Sequence, residues 1–416
     1  MESRPGLERL LPPARAGTLE ELRAVIRRIE RRRPPMPVPA PLEDSVGGAV
    51  EETEHGPVLV VHREYELAHR HGTEALEQAF ASAPALLGVL TRQGPPPGER
   101  PRLLFLDTET TGLSGGTGTY AFLVGAAYLD GHRIVLRQLF MRDLAEEPAL
   151  LSALGRLIAA FDGVVTYNGS AFDLPLLETR FVLGRRRWPD LWHLDLLFPA
   201  RRVWSARFLD CRLGTLESGV LRHRREDDVP GAMIPALYFD YLRRRRSAAL
   251  PRVFAHNRDD VLTLVALTAW LARALEGREA ADLTGGEHAG LARLWERVDP
   301  DRSLDRYRMA LACGLAGDDA ERVRLRLARW EKRRARWDAA CALWEDATRA
   351  PAFNAQPWEE LAKFYEHRAG DLPAARAVAT TALERARRSG ASERIVTDLT
   401  HRLLRLDRRL RAEPKD

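Results

Sequence analysis

Lysine is nearly missing from this 416-residue chain: Lys332, Lys363 and Lys415 are its only three, so almost all of its 64 basic side chains are guanidinium groups. That bias can follow from genome composition, but planar arginine forks also suit phosphate recognition. Cysteine is scarce too. Cys211, Cys313 and Cys341 lie far apart, with neither a disulfide framework nor CxxC spacing, so they read as ordinary thiols of a reducing compartment. No apolar run reaches the ~20 residues needed to cross a bilayer. The charged, proline-containing start does not resemble a signal peptide, and a cytoplasmic protein without a membrane segment is the expectation. No Cys/His cluster competes for a soft metal.

What is present is a soluble globular composition, 45% hydrophobic and 30% charged, long enough for two or three domains. The net charge of +5 leans mildly toward a polyanionic partner. Arginine clusters recur at 185–187, 222–225 and 243–246, each readable as a phosphate-binding patch or as a solvated face. Residues 1–50 read as a basic helix opened by the capping box Thr18-Leu19-Glu20-Glu21, then a proline-rich linker over 34–41. Residues 51–280 read as an α/β unit and 281–416 as helical.

Leu103-Leu104-Phe105-Leu106 is a short apolar run of the kind found in a strand covered on both faces, and it runs straight into Asp107-Thr108-Glu109-Thr110-Thr111-Gly112. Strand alternation sends Asp107 and Glu109 to one side and Thr108 to the other. Two acids that close repel unless a divalent cation lies between them, so a metal site at the strand end stands against two solvated loop acids. A glycine-rich loop over 114–119 follows, then strands at about 120–129 and 133–140 joined at Asp130-Gly131. A helix is expected at about 146–160 and another buried strand at 163–167. Asp173 lies just past that strand, where α/β proteins place ligands, and also where it can cap the helix over 174–183.

His256-Asn257-Arg258-Asp259-Asp260 reads as the opening of a helix reaching about Leu275. His256, Asp260, Leu264, Leu267 and Leu271 share its apolar stripe, where an unpaired carboxylate is costly. Asp260 is therefore expected to be the functional acid, and Asp259 a capping or helix-dipole residue.

These four acids in this order, with Gly115–Tyr120, Tyr167–Asp173, Asp228-Val229-Pro230-Gly231 and His256–Val261 around them, resemble the DEDD exonucleases of the ribonuclease H-like superfamily, and within them the YprB-type subgroup. The resemblance covers about residues 55–275. It implies a mixed five-stranded sheet flanked by helices, with Asp107, Glu109, Asp173 and Asp260 holding two Mg²⁺ or Mn²⁺ ions for phosphodiester hydrolysis. It also implies a 3′–5′ exonuclease acting on single-stranded DNA or RNA, with Thr108, Thr110, Thr111 and Gly112 near the terminal nucleotide. Asn168 would hold the second motif in place. Tyr120 is open between base stacking and a core role. The family places a tyrosine four residues before the last acid or a histidine five before it. His256, four before Asp260, is left as general base, orienting donor or helix cap.

Trp358-x2-Leu361-Ala362-x2-Tyr365 with Ala374 and Val378 follows tetratricopeptide spacing, and shifts of 34 residues reach Arg324, Leu327, Ala328, Glu331, Ala340 and Trp344 behind it, and Ser392, Ile395, Val396 and Leu399 ahead. A helical solenoid over about 285–411 is expected, serving either as a protein-docking arm or as a buttress for the nuclease unit. Trp330, Trp337 and Trp344 read as packing between helices. The rival reading of the whole chain is a low-turnover nucleic-acid-binding or scaffold protein. Oligomeric state leaves no mark on the sequence.

Overall fold

A computed structural model describes residues 41–112, 118–245, 247–278 and 283–412. The expected N-terminal helix, nearly all of the proline-rich run and most of the glycine-rich loop fall outside them.

Seven strands form one mixed sheet: β1 (Gly48–Thr53), β2 (Gly56–Glu66), β3 (Leu103–Thr110), β4 (Ala121–Asp130), β5 (Arg133–Phe140), β6 (Gly163–Thr166) and β7 (Trp192–Asp195). Their spatial order is β1-β2-β5-β4-β3-β6-β7. β1 to β5 pair antiparallel, whereas β6 runs parallel to both β3 and β7. The expected five strands are therefore joined by a hairpin, β1–β2, on the β5 edge. Val58 to Val61 of β2 are buried, so this hairpin extends the core.

Helices α1 (Glu147–Ile158), α2 (Asp173–Leu183), α3 (Leu197–Trp204), α4 (Ile234–Arg244) and α5 (Leu250–Glu276) cover the sheet. Side-chain alternation along β3 sorts it between two cores. Leu104 and Leu106 pack with Leu150, Leu177 and Tyr238. Leu103 and Phe105 pack with Trp204, Val261 and Leu264. Asp107 and Glu109 continue the second set toward α5, and Thr108 continues the first toward α2.

α5 starts two turns before the expected point, at Leu250, with Pro251 in its first turn. Two expectations change as a result. His256 and Asp259 lie inside the helix and cannot cap it, and Asp259 is a buried carboxylate paired with Arg258 at 2.7 Å.

Beyond residue 283 the chain is helical: α6 (Gly285–Trp295), α7 (Pro300–Ala312), α8 (Gly317–Arg333), α9 (Trp337–Thr348), α10 (Ala355–Phe364), α11 (Leu372–Arg388) and α12 (Glu393–Ala412). Each layer has its own small core rather than one shared interior. The anchors Leu327, Ala328, Ala340, Trp344, Leu361, Ala362 and Leu399 are all buried. α6 is built into the α/β unit: Leu291, Leu294 and Trp295 join its second core, and a Cβ on Gly290 would stand 2.4 Å from the Arg202 carbonyl. No described helix is long and apolar enough to cross a membrane.

Candidate metal centre and cleft

The sheet ends in a cleft of about 610 Å³ lined by Asp107, Thr108, Glu109, Thr110, Gly112, Asn168 and Asp173 among others. A bulge falls between Glu109 and Thr110, at the point where β3 leaves its pairing with β4. Bulges re-aim side chains at such ends. Asp107 faces Gly125 across the strands, and a Cβ on Gly125 would meet the Asn257 amide oxygen at 2.2 Å. The missing side chain makes room for Asn257, which donates to Asp107 Oδ2 at 2.9 Å and to its carbonyl at 3.4 Å. Gln138 fixes Asn257 in turn, donating to its Oδ1 at 2.9 Å and to the Phe254 carbonyl at 2.8 Å.

Thr108, on the opposite face of the strand, donates to Asp173 Oδ1 at 2.5 Å. Asp173 opens α2 as its first residue, and the preceding N-cap position makes no side-chain cap. The loop before it is pinned by buried Asp195, which accepts from the backbone of Asn168 at 2.7 Å and of Ser170 at 3.1 Å. Asn168 turns there with φ 61°, a left-handed conformation that asparagine tolerates better than most residues.

Asp260 lies on α5 one turn beyond His256. The His256 Nε2 is 3.2 Å from Asp260 and 4.0 Å from Glu109, and its Nδ1 is 2.8 Å from Asp228. Glu109, His256 and Asp260 thus present ligand atoms within 4.8 Å of one another. Arg225 closes the far side. It donates to Asp260 at 2.5 Å and to buried Glu217 at 2.7 Å, and its side chain is only 8% exposed. Of the 222–225 cluster, this arginine at least is neither solvated nor free for phosphate.

The electrostatics divide the acids. Burial, with the charges of Asp260, Asp173 and Glu109, pushes the Asp107 carboxyl well above its usual range. Burial raises Glu109 to about 8, against the pull of His256 and with repulsion from Asp260 and Asp173. Burial raises Asp173 to about 6 despite the Thr108 hydrogen bond. His256 goes up to about 9: burial opposes its charge, but Asp260, Glu109 and Asp228 outweigh it. Carboxylates held together against their mutual repulsion, with hard oxygen donors, could hold a divalent metal ion.

The structure therefore brings Asp107, Glu109, Asp173, Asp260 and His256 to one place, with Thr108, Thr110, Gly112 and Asn168 on the cleft wall. Two expected residues lie elsewhere. Thr111 ties the β3 end to Tyr120 through the backbone. Tyr120 packs against the core with the Arg180 guanidinium 4.0 Å from its ring centroid. Sequence reasoning missed Asn257, Gln138, Arg225 and Glu217. The signals available were the position of Asn257 within the last motif and the 222–225 cluster that holds Arg225.

A model of the RNase_H superfamily matches residues 104–272. The uncharacterized protein YprB of Bacillus subtilis (strain 168) is 32% identical over 362 residues, 84% of this chain and 86% of its own. Among solved structures, the family B DNA polymerase of the hyperthermophilic archaeon Pyrobaculum calidifontis aligns over 49% of this chain at 16% identity and a TM-score of 0.30; the match spans 30% of that polymerase chain. The superfamily match suggests nuclease-type activity and nucleic-acid binding, and the extent of the bacillar match shows that the chain belongs to the YprB family, with a ribonuclease H-like domain at its centre.

Proposed function

We propose that the protein is a divalent-metal-dependent phosphodiester hydrolase, a 3′–5′ exonuclease on single-stranded DNA or RNA. The observation that carries this reading is the convergence of four acids from β3, α2 and α5 at the end of the sheet, three of them on the cleft wall and with pKa values driven upward by burial and mutual repulsion. Asp107, Glu109, Asp173 and Asp260 would hold two Mg²⁺ or Mn²⁺ ions. When bound, such ions supply a nucleophilic water on one side of phosphorus and neutralise the leaving 3′ oxygen on the other.

The chain's own residues set the rest. Asn257 and Thr108 orient Asp107 and Asp173 through neutral hydrogen bonds and leave their charge for the cations. Asp228 fixes His256 at Nδ1, so its Nε2 faces the acids. A ring that keeps its proton up to about pH 9 is an orienting donor, and it serves as a base only after the surrounding negative charge is neutralised. Thr110, Gly112 and Asn168 line the wall where a terminal nucleotide would rest. The helices beyond residue 283 form a tetratricopeptide-like arm in this reading, and the protein works in the cytoplasm.

The test is release of nucleotides from 3′-labelled single strands with Mg²⁺ or Mn²⁺. Equal inactivity of the wild type and an Asp107→Ala variant across DNA and RNA ends would sink it. Arg225 favours a second reading, a binding protein with little turnover, because its guanidinium already compensates Asp260. Metal titration separates the two: carboxylate-dependent uptake of two ions belongs to the enzyme only.

A further inference from the structure

The hollow beside the catalytic cleft and the grooves of the helical arm carry a run of arginines without acidic partners. Behind the 168–171 loop, whose Asn168 and Ala171 line the cleft, a hollow of about 480 Å³ is lined by Ser170, Arg92, Arg201, Arg202, Phe198 and Asp195, whose carboxylate is taken up by the backbone of Asn168, Ser170 and Leu197. Phe198 is 57% exposed. The track then crosses to the arm, where Arg293 on α6 donates to the Arg202 carbonyl at 2.6 Å. Just past α6, Arg297 opens a groove of about 460 Å³ shared with Arg322, Arg326, Arg329, Trp330 and Arg333. A further groove of about 440 Å³ continues it through Arg329, Arg333, Lys332 and Trp337.

Charge sorts these residues. The acids on the arm grooves are already met: Glu296 by Arg326, and Glu360 by Lys332 at 2.5 Å. Among the described residues, Arg92, Arg201, Arg202, Arg297, Arg329 and Arg333 have no carboxylate within 4.0 Å. Burial holds Arg202 below its usual range, repulsion from Arg92, Arg293 and Arg297 adds to it and attraction to Glu296 opposes it, so the hollow and the first groove feel each other's charge. Rings occur along the same path: exposed Phe198 in the hollow, and half-buried Trp330 with Arg333 5.3 Å from its ring centroid. Unpaired guanidinium groups interleaved with aromatic faces are the chemistry of sequence-tolerant single-strand binding, where cations follow the backbone and rings take bases.

We propose that a single nucleic-acid strand leaving the catalytic cleft runs through the Arg92–Arg201–Arg202 hollow and along the α6–α10 grooves of the helical arm. The inference rests on the nucleic-acid reading of the cleft and assigns the arm to the substrate rather than to a peptide.

Fluorescence anisotropy tests it on the full-length Asp107→Asn protein with EDTA, which separates binding from turnover. The probes are labelled single strands of 8 and 30 nucleotides, as DNA and as RNA. The 30-mer of at least one type should bind about tenfold tighter than the 8-mer near 0.1 M salt. The Arg297→Ala/Arg329→Ala/Arg333→Ala triple variant should lose that gain and lower the log–log salt slope by about 2, from ~0.7 per phosphate contact. Removing three arginines that carry their own acids, Arg376, Arg388 and Arg394 with Asp407, Glu384 and Asp398, controls for net charge and should leave the gain intact. Unchanged 30-mer binding in the first triple variant, or an equal loss in the control, overturns the proposal. So does a result in which poly-glutamate, and neither nucleic acid, binds through the three track arginines. Release of 3′ nucleotides by the wild type with Mg²⁺ is scored separately. Arginine-dependent 30-mer binding without release leaves the track standing and removes the nuclease reading, and release without it removes the track alone.

Discussion

In the last helical layer, Glu366 is sealed from solvent at 1% side-chain exposure and met by the guanidinium groups of Arg402, Arg405 and Arg409 at 3.3, 2.7 and 2.9 Å. In the cleft, Asp107 and Asp173 are half-buried, and Asp107 is met by an amide and Asp173 by a hydroxyl. Burial alone would raise both kinds of acid. The arginines hold Glu366 below the usual carboxylate range, whereas Asp107, Glu109 and Asp173 are left above it. The structural acid comes with its cations built in, whereas Asp107 and Asp173 have only neutral donors; Asp260, paired with Arg225, is the exception within the cleft. Glu217 falls on the structural side: burial would raise it, but His71 and Arg225 hold it near 2.

The largest break in this comparison is Asp107→Asn. We expect hydrolysis to fall by on the order of 10³, a loss typical of removing one electrostatic element of an active site. The metal-free protein should become more stable by about 1 kcal/mol, or roughly 2–4 °C in Tm, because a repelling charge is gone. Glu366→Gln should do the reverse. It leaves three guanidinium groups around a neutral amide, costs about 1–3 kcal/mol, and should appear as faster amide exchange over residues 393–412 with hydrolysis unchanged. A variant pair that both lose stability would erase the distinction between the two regions.

Metal and pH sharpen it next. Saturation at a hundred times Kd stabilises a folded protein by about 2.7 kcal/mol, so Mg²⁺ or Mn²⁺ should raise the wild-type Tm but not that of Asp107→Asn. Without metal, Glu109 titrates near 8 and Asp173 near 6, above their unfolded values. The folded state then binds more protons than the unfolded state between those limits, so stability falls as pH rises from about 4 through 8. Glu217 is depressed, and its contribution is present above the ordinary 4.5 and lost as pH falls toward 2. Metal-free melting curves should therefore peak near pH 4–5, and added Mg²⁺ should move the peak upward. A metal-free peak at pH 7 or above would show that the cleft acids are compensated after all.

The acids themselves were legible in sequence because each sits at a point where period fails. Asp107 and Glu109 follow an apolar strand, and Asp260 interrupts an apolar stripe. The true start of α5 is marked by Pro251 in its first turn, whereas the polar His256 motif that resembles a helix opening lies in the helix interior. The partners were not legible. Nothing in the run Arg222–Arg225 says which guanidinium turns inward, because Glu217 and Asp260, which decide it, lie 8 and 35 residues away. Asn257 depends on a glycine in another strand, and Gln138 on both. The helical arm showed its buried anchors by spacing, but which of its arginines lack a carboxylate partner depends on contacts between helices that spacing does not reveal.

Thr108 gives the finest test, because family resemblance and geometry assign it different work. As a nucleotide contact it would act on substrate affinity. In the structure its hydroxyl is spent on Asp173, and alternation along β3 points it to the α2 face, away from Asp107 and Glu109. Thr108→Val keeps the shape and removes that hydrogen bond, so Asp173 is left less well oriented and its carboxyl rises further. Loss of a group that orients a metal ligand typically weakens metal binding by about 10-fold or more. The expected result is a rightward shift of the Mg²⁺ activation curve by roughly that factor, with KM for a single strand unchanged at saturating metal. A raised KM with an unmoved metal curve would return Thr108 to the substrate. It would also weaken the claim that neutral hydrogen bonds prepare these acids for cations.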